Sequence, residues 1–174
     1  MKKEVETIEF APHDASQLRY VRRVETSLVE DGQFEYLGGA LKSSDDFARM
    51  FSRIRHSDRE IAITLFLDTN DMPIGYDRWT GGIDFVSIDP RQVFKVMAGL
   101  NAAKVVFCHN HPEGAIRPSV GDEMFCLQMC KLCELMGWEV VDFIVLGSAG
   151  HYSFKDKDNP NLLKSELSAV RIVR

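Results

Sequence analysis

Apolar positions along this chain fall into short blocks, each with its own period, separated by Gly, Pro and Asx-rich turns. Phe47, Met50, Phe51 and Ile54 recur at helical spacing behind Ser44, Asp45 and Asp46, which supply capping and first-turn acidic residues. The stripe predicts a helix ending near His56-Ser57. Glu60 to Asp68 (EIAITLFLD) is dense in β-branched and aromatic residues and predicts a buried strand. Thr69-Asn70-Asp71 with Pro73 is turn chemistry. Ile74 to Thr80 then returns as the second strand of a hairpin closed by Gly81-Gly82.

Asp89-Pro90 is a helix start, a capping residue followed by proline where its missing N–H is not needed. Val93, Val96, Met97 and Leu100 form the apolar face of that helix. Lys104 to Cys108 predicts a strand, and Ser119 opens a helix running to a Gly137 cap. Trp138 to Leu146 predicts a further strand, turning at Gly147 to Gly150 into a partner over His151 to Phe154. The order helix, hairpin, helix, strand, helix, hairpin predicts a mixed α/β domain with one central sheet. Residues 1–40 read as an arm or extension with a short strand at Glu4 to Phe10, residues 41–154 as the domain, and residues 155–174 as a tail.

Composition narrows the class without naming a chemistry. The 174 residues, 45% hydrophobic and 27% charged, suit one globular domain and exclude collagen, coiled coil and wholesale disorder. With 21 Lys plus Arg against 26 Asp plus Glu the formal charge is −5, which weighs against nucleic acid gripped through phosphates. No apolar run reaches the length of a membrane span, and no apolar stretch follows Lys2-Lys3 to make a secretory signal. The expected setting is the cytoplasm, with the four cysteines as free thiols.

The densest polar cluster follows the strand at Lys104: Cys108, His109, Asn110, His111, Pro112, then Pro118, Ser119 and Asp122. In extended backbone, residues i and i+2 point the same way, so His109 and His111 present both imidazoles together while Asn110 turns away. Pro112 biases His111 towards extended geometry. Asp122, one turn into the next helix, adds a carboxylate, and two His with one Asp and a water is how a catalytic zinc site is built. The Ser119-x-x-Asp122 pair also reads as a capping box with no further role.

His109-Asn110-His111-Pro112, seven residues, then Ser119-x-x-Asp122 resembles the JAMM motif of MPN (JAB) domain metalloproteins. The surrounding NAAKVVFCHNHPEGAIRPSVGD, with DPRQVFK before it and GWEVVDFIVLG and HYSF after it, is similar to the C-terminal domain of the bacterial RadC family, from about Leu41 to Phe154. The resemblance implies an α/β fold, a single mixed-sheet MPN (JAB, cytidine-deaminase-like) domain with flanking helices. It implies Zn²⁺ held by His109, His111 and Asp122, and Ser119 hydrogen-bonding the reacting centre. The activity implied is that of a JAMM-type metallopeptidase, cleaving an amide or isopeptide bond of a protein or peptide substrate with metal-activated water.

In the wider class an upstream glutamate on a strand is the general base. The strand expected to carry it, Ile74 to Gly82, has none, and Asp77 is its nearest acidic residue; Glu113 beside the motif reads either as a substitute or as an exposed loop carboxylate. The alternatives are a non-catalytic interaction module and the DNA-repair association of the RadC name, which no residue pattern supports. The first forty residues are the expected partner surface of a homodimer.

Other constellations read as structural. Cys126-x-x-x-Cys130-x-x-Cys133 has the spacing of a radical S-adenosylmethionine cluster motif, but its residues share one helical face, where free Cys packs as a small apolar residue. Cys108 reads as the end of a buried strand rather than as a nucleophile. Arg53, Arg55 and Arg59 read as solvated, and His13, His56 and His151 as surface or turn residues.

Overall fold

The computed structural model describes residues 32, 36, 38–83 and 85–157. The strand expected at Glu4 to Phe10 lies outside them, as do most of the arm and tail. Within them, helix α1 (Ser44–Met50) precedes strands β1 (Ile61–Leu67) and β2 (Pro73–Thr80). Then come α2 (Pro90–Leu100), β3 (Lys104–Asn110), α3 (Val120–Met136), β4 (Glu139–Leu146) and β5 (His151–Ser153). The sheet order is β2-β1-β3-β4-β5, with β3 and β4 parallel across the α3 crossover and every other pair antiparallel.

The period-2 alternation of the central strands divides the core into two layers. Ile61, Ile63, Leu65 and Leu67 of β1 join Val106, Cys108, Ile144 and Leu146 against Phe47 and Phe51. Phe66, Val105, Phe107, Phe143 and Val145 face the other way, against Val93 and Met97 of α2 and Met129 of α3. A strand covered on both faces is apolar almost throughout, and all seven residues of β1 are buried, the one polar member, Thr64, accepting from Trp79 Nε1 at 3.0 Å. Each buried phenylalanine contributes about 1.5–3 kcal/mol.

Helix ends follow the local chemistry. Asp89 caps α2 by accepting from Arg91 N, and Pro90 is its first residue. Gly137 closes α3 at φ 75°, a left-handed conformation that glycine adopts without strain. Near the front of the domain the outcome differs from the sequence expectation. Ser43, not Ser44, caps α1, and the helix stops at Met50, with a 3-10 turn at Ser52–Ile54 continuing towards His56. Phe51 leaves helical geometry at φ −100°, ψ 15°, yet still buries its ring in the first core layer.

Two polar groups that drew no structural role from the sequence hold the β4–β5 end. Arg55 is not a solvated cation: its Nη1 donates to the carbonyls of Gly147 and Gly150. Asp142, fully buried on β4, accepts from Ser153 Oγ at 2.6 Å, Phe143 N at 2.7 Å and Lys155 N at 3.1 Å. Orphaning buried donors costs about 1–3 kcal/mol each, so Asp142→Ala is expected to lose about 3 kcal/mol of stability in urea unfolding.

Burial raises the Asp142 pKa above its ordinary 3.8, against the pull of those three donors. A raised folded value means that this group's stabilisation is complete below the unfolded value and is lost as pH rises through the folded one. The gap between wild type and Asp142→Ala should therefore be widest near pH 4 and narrow towards neutrality; a gap that widens with pH would contradict this.

Candidate metal centre

β3 delivers the histidines. Phe107 and His109 share the α3 side of the strand, and His111 follows two residues on, its N–H donating to Leu146 O of β4. His109 Nε2 and His111 Nε2 stand 3.0 Å apart, in side chains that are almost wholly buried. The His109 ring is braced edge-to-face on Phe143, centroids 5.5 Å apart. From α3, Asp122 reaches both imidazoles: Oδ1 lies 3.2 Å from His109 Nε2, and Oδ2 lies 3.5 Å from His111 Nε2.

The capping reading of Ser119 and Asp122 and the ligand reading hold together. Ser119 Oγ accepts from Asp122 N at 3.1 Å, while Ser119 N and Oγ both donate to Asp122 Oδ2, at 2.7 and 2.8 Å. The cap orients the carboxylate and leaves Oδ1 to His109. Burial would raise the Asp122 pKa, but hydrogen bonds from His109 and His111 overcome it and hold the carboxyl well below the usual carboxylate range. Its bond to Asp122 raises the pKa of His111 in turn, against burial.

These three side chains form a group that could hold a metal ion. Tetrahedral coordination at about 2.0–2.1 Å puts ligand atoms roughly 3.3 Å apart. The two imidazole nitrogens stand 3.0 Å apart, each within 3.2 or 3.5 Å of a different Asp122 oxygen, and one ligand atom from each residue lies within 4.8 Å of the others. The donor set, two imidazoles and one carboxylate, suits a borderline cation with an open fourth position. His111 Nδ1 is buried without a hydrogen bond among the described residues, and the nearest acid, the exposed Glu113, is 3.8 Å away. The fit is good.

Asp77 is not brought to this group. It pairs with Thr64 from the edge strand β2, so that β1 lies between it and β3, and Thr64 stands opposite Phe107, not His109. Two strand spacings put its backbone roughly 10 Å from β3. Its Oδ1 accepts from Arg78 N, and it does not line the cavity at the triad. The expectation that Asp77 supplies the base is thereby corrected: register, which the sequence does not reveal, places it too far out.

Glu60 is the carboxylate the fold does deliver. Ala62 pairs with His109, so the same register carried two residues outward sets Glu60 opposite His111, on the triad's side of the sheet. Its backbone is clasped from both sides. Glu60 N donates to Gly82 O and Gly81 N donates to Glu60 O, each at 2.8 Å. On the other side Asn110, turned away from the imidazoles as expected, takes Ile61 N on its Oδ1 at 2.8 Å and gives its Nδ2 to Arg59 O at 3.1 Å. Asn110 thus grips the residues flanking Glu60. Burial raises the pKa of Glu60, with His109 and His111 opposing and Asp122 and Glu113 reinforcing the shift. One signal for Glu60 was present in the sequence, an acid heading a strand otherwise destined for the core.

Glu60, His109, Ser119 and Asp122 open together into a cavity of about 370 Å³. One wall is the segment after β2, which folds back because Gly81 lacks a Cβ that would collide with Phe85 O. The loop from His111 to Ser119 rests on the β4–β5 turn, through Ser148 N to Gly114 O at 3.0 Å.

The cysteines take no part. Burial pushes the Cys108 thiol far up, and Cys126, Cys130 and Cys133 line the buried face of α3, with burial raising Cys133 to about 12. Among the described residues, no cysteine joins a group that could hold a metal ion, and no helix is long and apolar enough to cross a membrane. A family model described as a RadC-like JAB domain matches residues 41–159, and the chain belongs to that family.

Proposed function

We propose that this RadC-like JAB protein is a zinc-dependent hydrolase of JAMM type that cleaves an amide or isopeptide bond in a protein or peptide. The observation that carries the reading is a buried glutamate, Glu60, sharing one cavity with Ser119 and two of the triad, His109 and Asp122. His109 Nε2, His111 Nε2 and the Asp122 carboxylate would hold the ion. When bound, zinc lowers the pKa of a water towards neutrality and polarises the scissile carbonyl.

The remaining work falls to the chain's own groups. Glu60, its pKa raised by burial, takes the proton of the attacking water at its carboxylate and returns it to the departing amine nitrogen. Asn110 and the Gly81-Gly82 backbone hold Glu60 in reach. Ser119 fixes Asp122 and lines the cavity, so that its Oγ can turn to donate to the oxygen that gains charge on the substrate.

Metal removal tests the reading. Exhaustive chelation is expected to abolish cleavage of a random peptide library, followed by mass spectrometry of new termini, and added Zn²⁺ to restore it. Cleavage indifferent to chelation would overturn the proposal.

A further inference from the structure

The cavity beside His109 and Asp122 is lined by apolar residues on two sides. Its wall after β2 is Phe85, Val86 and Ile88, and its floor is Phe107, Phe125 and Phe143. The floor rings form one cluster, with Phe107 and Phe143 each edge-on to Phe125 at 5.4 and 5.8 Å between centroids. An apolar cavity of about 150 Å³ already admits benzene. The about 370 Å³ here therefore accommodates a phenyl ring or branched aliphatic chain together with the peptide unit leading to the triad.

The charges at the cavity settle which side chain suits it. Among the described residues, no Lys or Arg lines it, so nothing would pair an acidic side chain. Its two carboxylates, Glu60 and Asp122, stand at the triad rather than along the aromatic floor. The wall itself keeps an apolar side chain in water: Phe85 is 69% exposed. Apolar surface kept in contact with water beside a cavity marks a binding site.

We propose that this cavity is a specificity pocket, selecting a peptide with a large apolar or aromatic side chain on the residue whose carbonyl is cleaved. The proposal rests on the hydrolase reading and adds the substrate class to it. The bound residue's carbonyl lies at the triad while its side chain replaces water over Phe107, Phe125 and Phe143.

Matched hydroxamates test it on the zinc-loaded full chain, read by calorimetry. N-acetyl-phenylalanine hydroxamate and N-acetyl-glycine hydroxamate share a metal-binding group and differ only in the side chain. The phenylalanine compound should bind at least about tenfold more tightly. That ratio should collapse in Val86→Trp, which fills the pocket, and shrink in Phe85→Ala, which removes an exposed wall residue that the fold does not need.

Equal binding of the two compounds by the wild type, or an undiminished ratio in both variants, would overturn the pocket while leaving the hydrolase intact. If neither compound binds better to the wild type than to Asp122→Ala, both readings fall.

Discussion

Glu60→Gln is expected to lower amide turnover by about 10²- to 10⁴-fold, the contribution typical of a positioned general base. The substitution keeps the shape of the side chain and every backbone bond that clasps it, from Gly82, Gly81 and the grip of Asn110. Bound zinc should therefore match wild type by elemental analysis, which separates a lost base from a lost metal. Asp77→Asn is the matched control. It alters a carboxylate two strands from the triad and should leave both turnover and zinc unchanged. Full activity in Glu60→Gln would remove Glu60 from the mechanism.

Bound zinc should fall to background in both Asp122→Ala and His109→Ala, with activity following it. The two variants differ in a useful way. Asp122→Ala also destroys the capping box of α3, which costs about 1 kcal/mol of helix stability, whereas His109→Ala leaves that box intact. Ser119→Ala removes the side-chain cap while keeping all three ligands, so it should lose a similar increment of stability and still bind zinc. Zinc retained by both ligand variants would show that the metal sits elsewhere. Loss of zinc in Ser119→Ala alone would show that the cap, not the ligand set, controls the site.

Much of this architecture was legible because its causes are local. The Asp89-Pro90 start of α2, the Ser119 and Gly137 ends of α3 and the β1–β2 hairpin each follow from residues within a turn of one another. His109 and His111 share a side because extended backbone repeats every two residues, and that geometry survived folding. Ser119 and Asp122 drew two competing readings, cap and ligand. The structure makes them one arrangement, since a carboxylate has two oxygens and the cap occupies only one.

What the chain determined by itself, then, is its element order, its helix ends and the pairing of two imidazoles. Tertiary structure decided which acid joins them. Glu60 and His111 are far apart in sequence, and only the antiparallel register of β1 on β3 sets them opposite each other, while the same register strands Asp77 beyond β1. The aromatic pocket likewise needs residues from β3, α3, β4 and the segment after β2 at once. Contacts of that kind depend on how two core layers seat on one sheet, and no local propensity encodes the offset between strands.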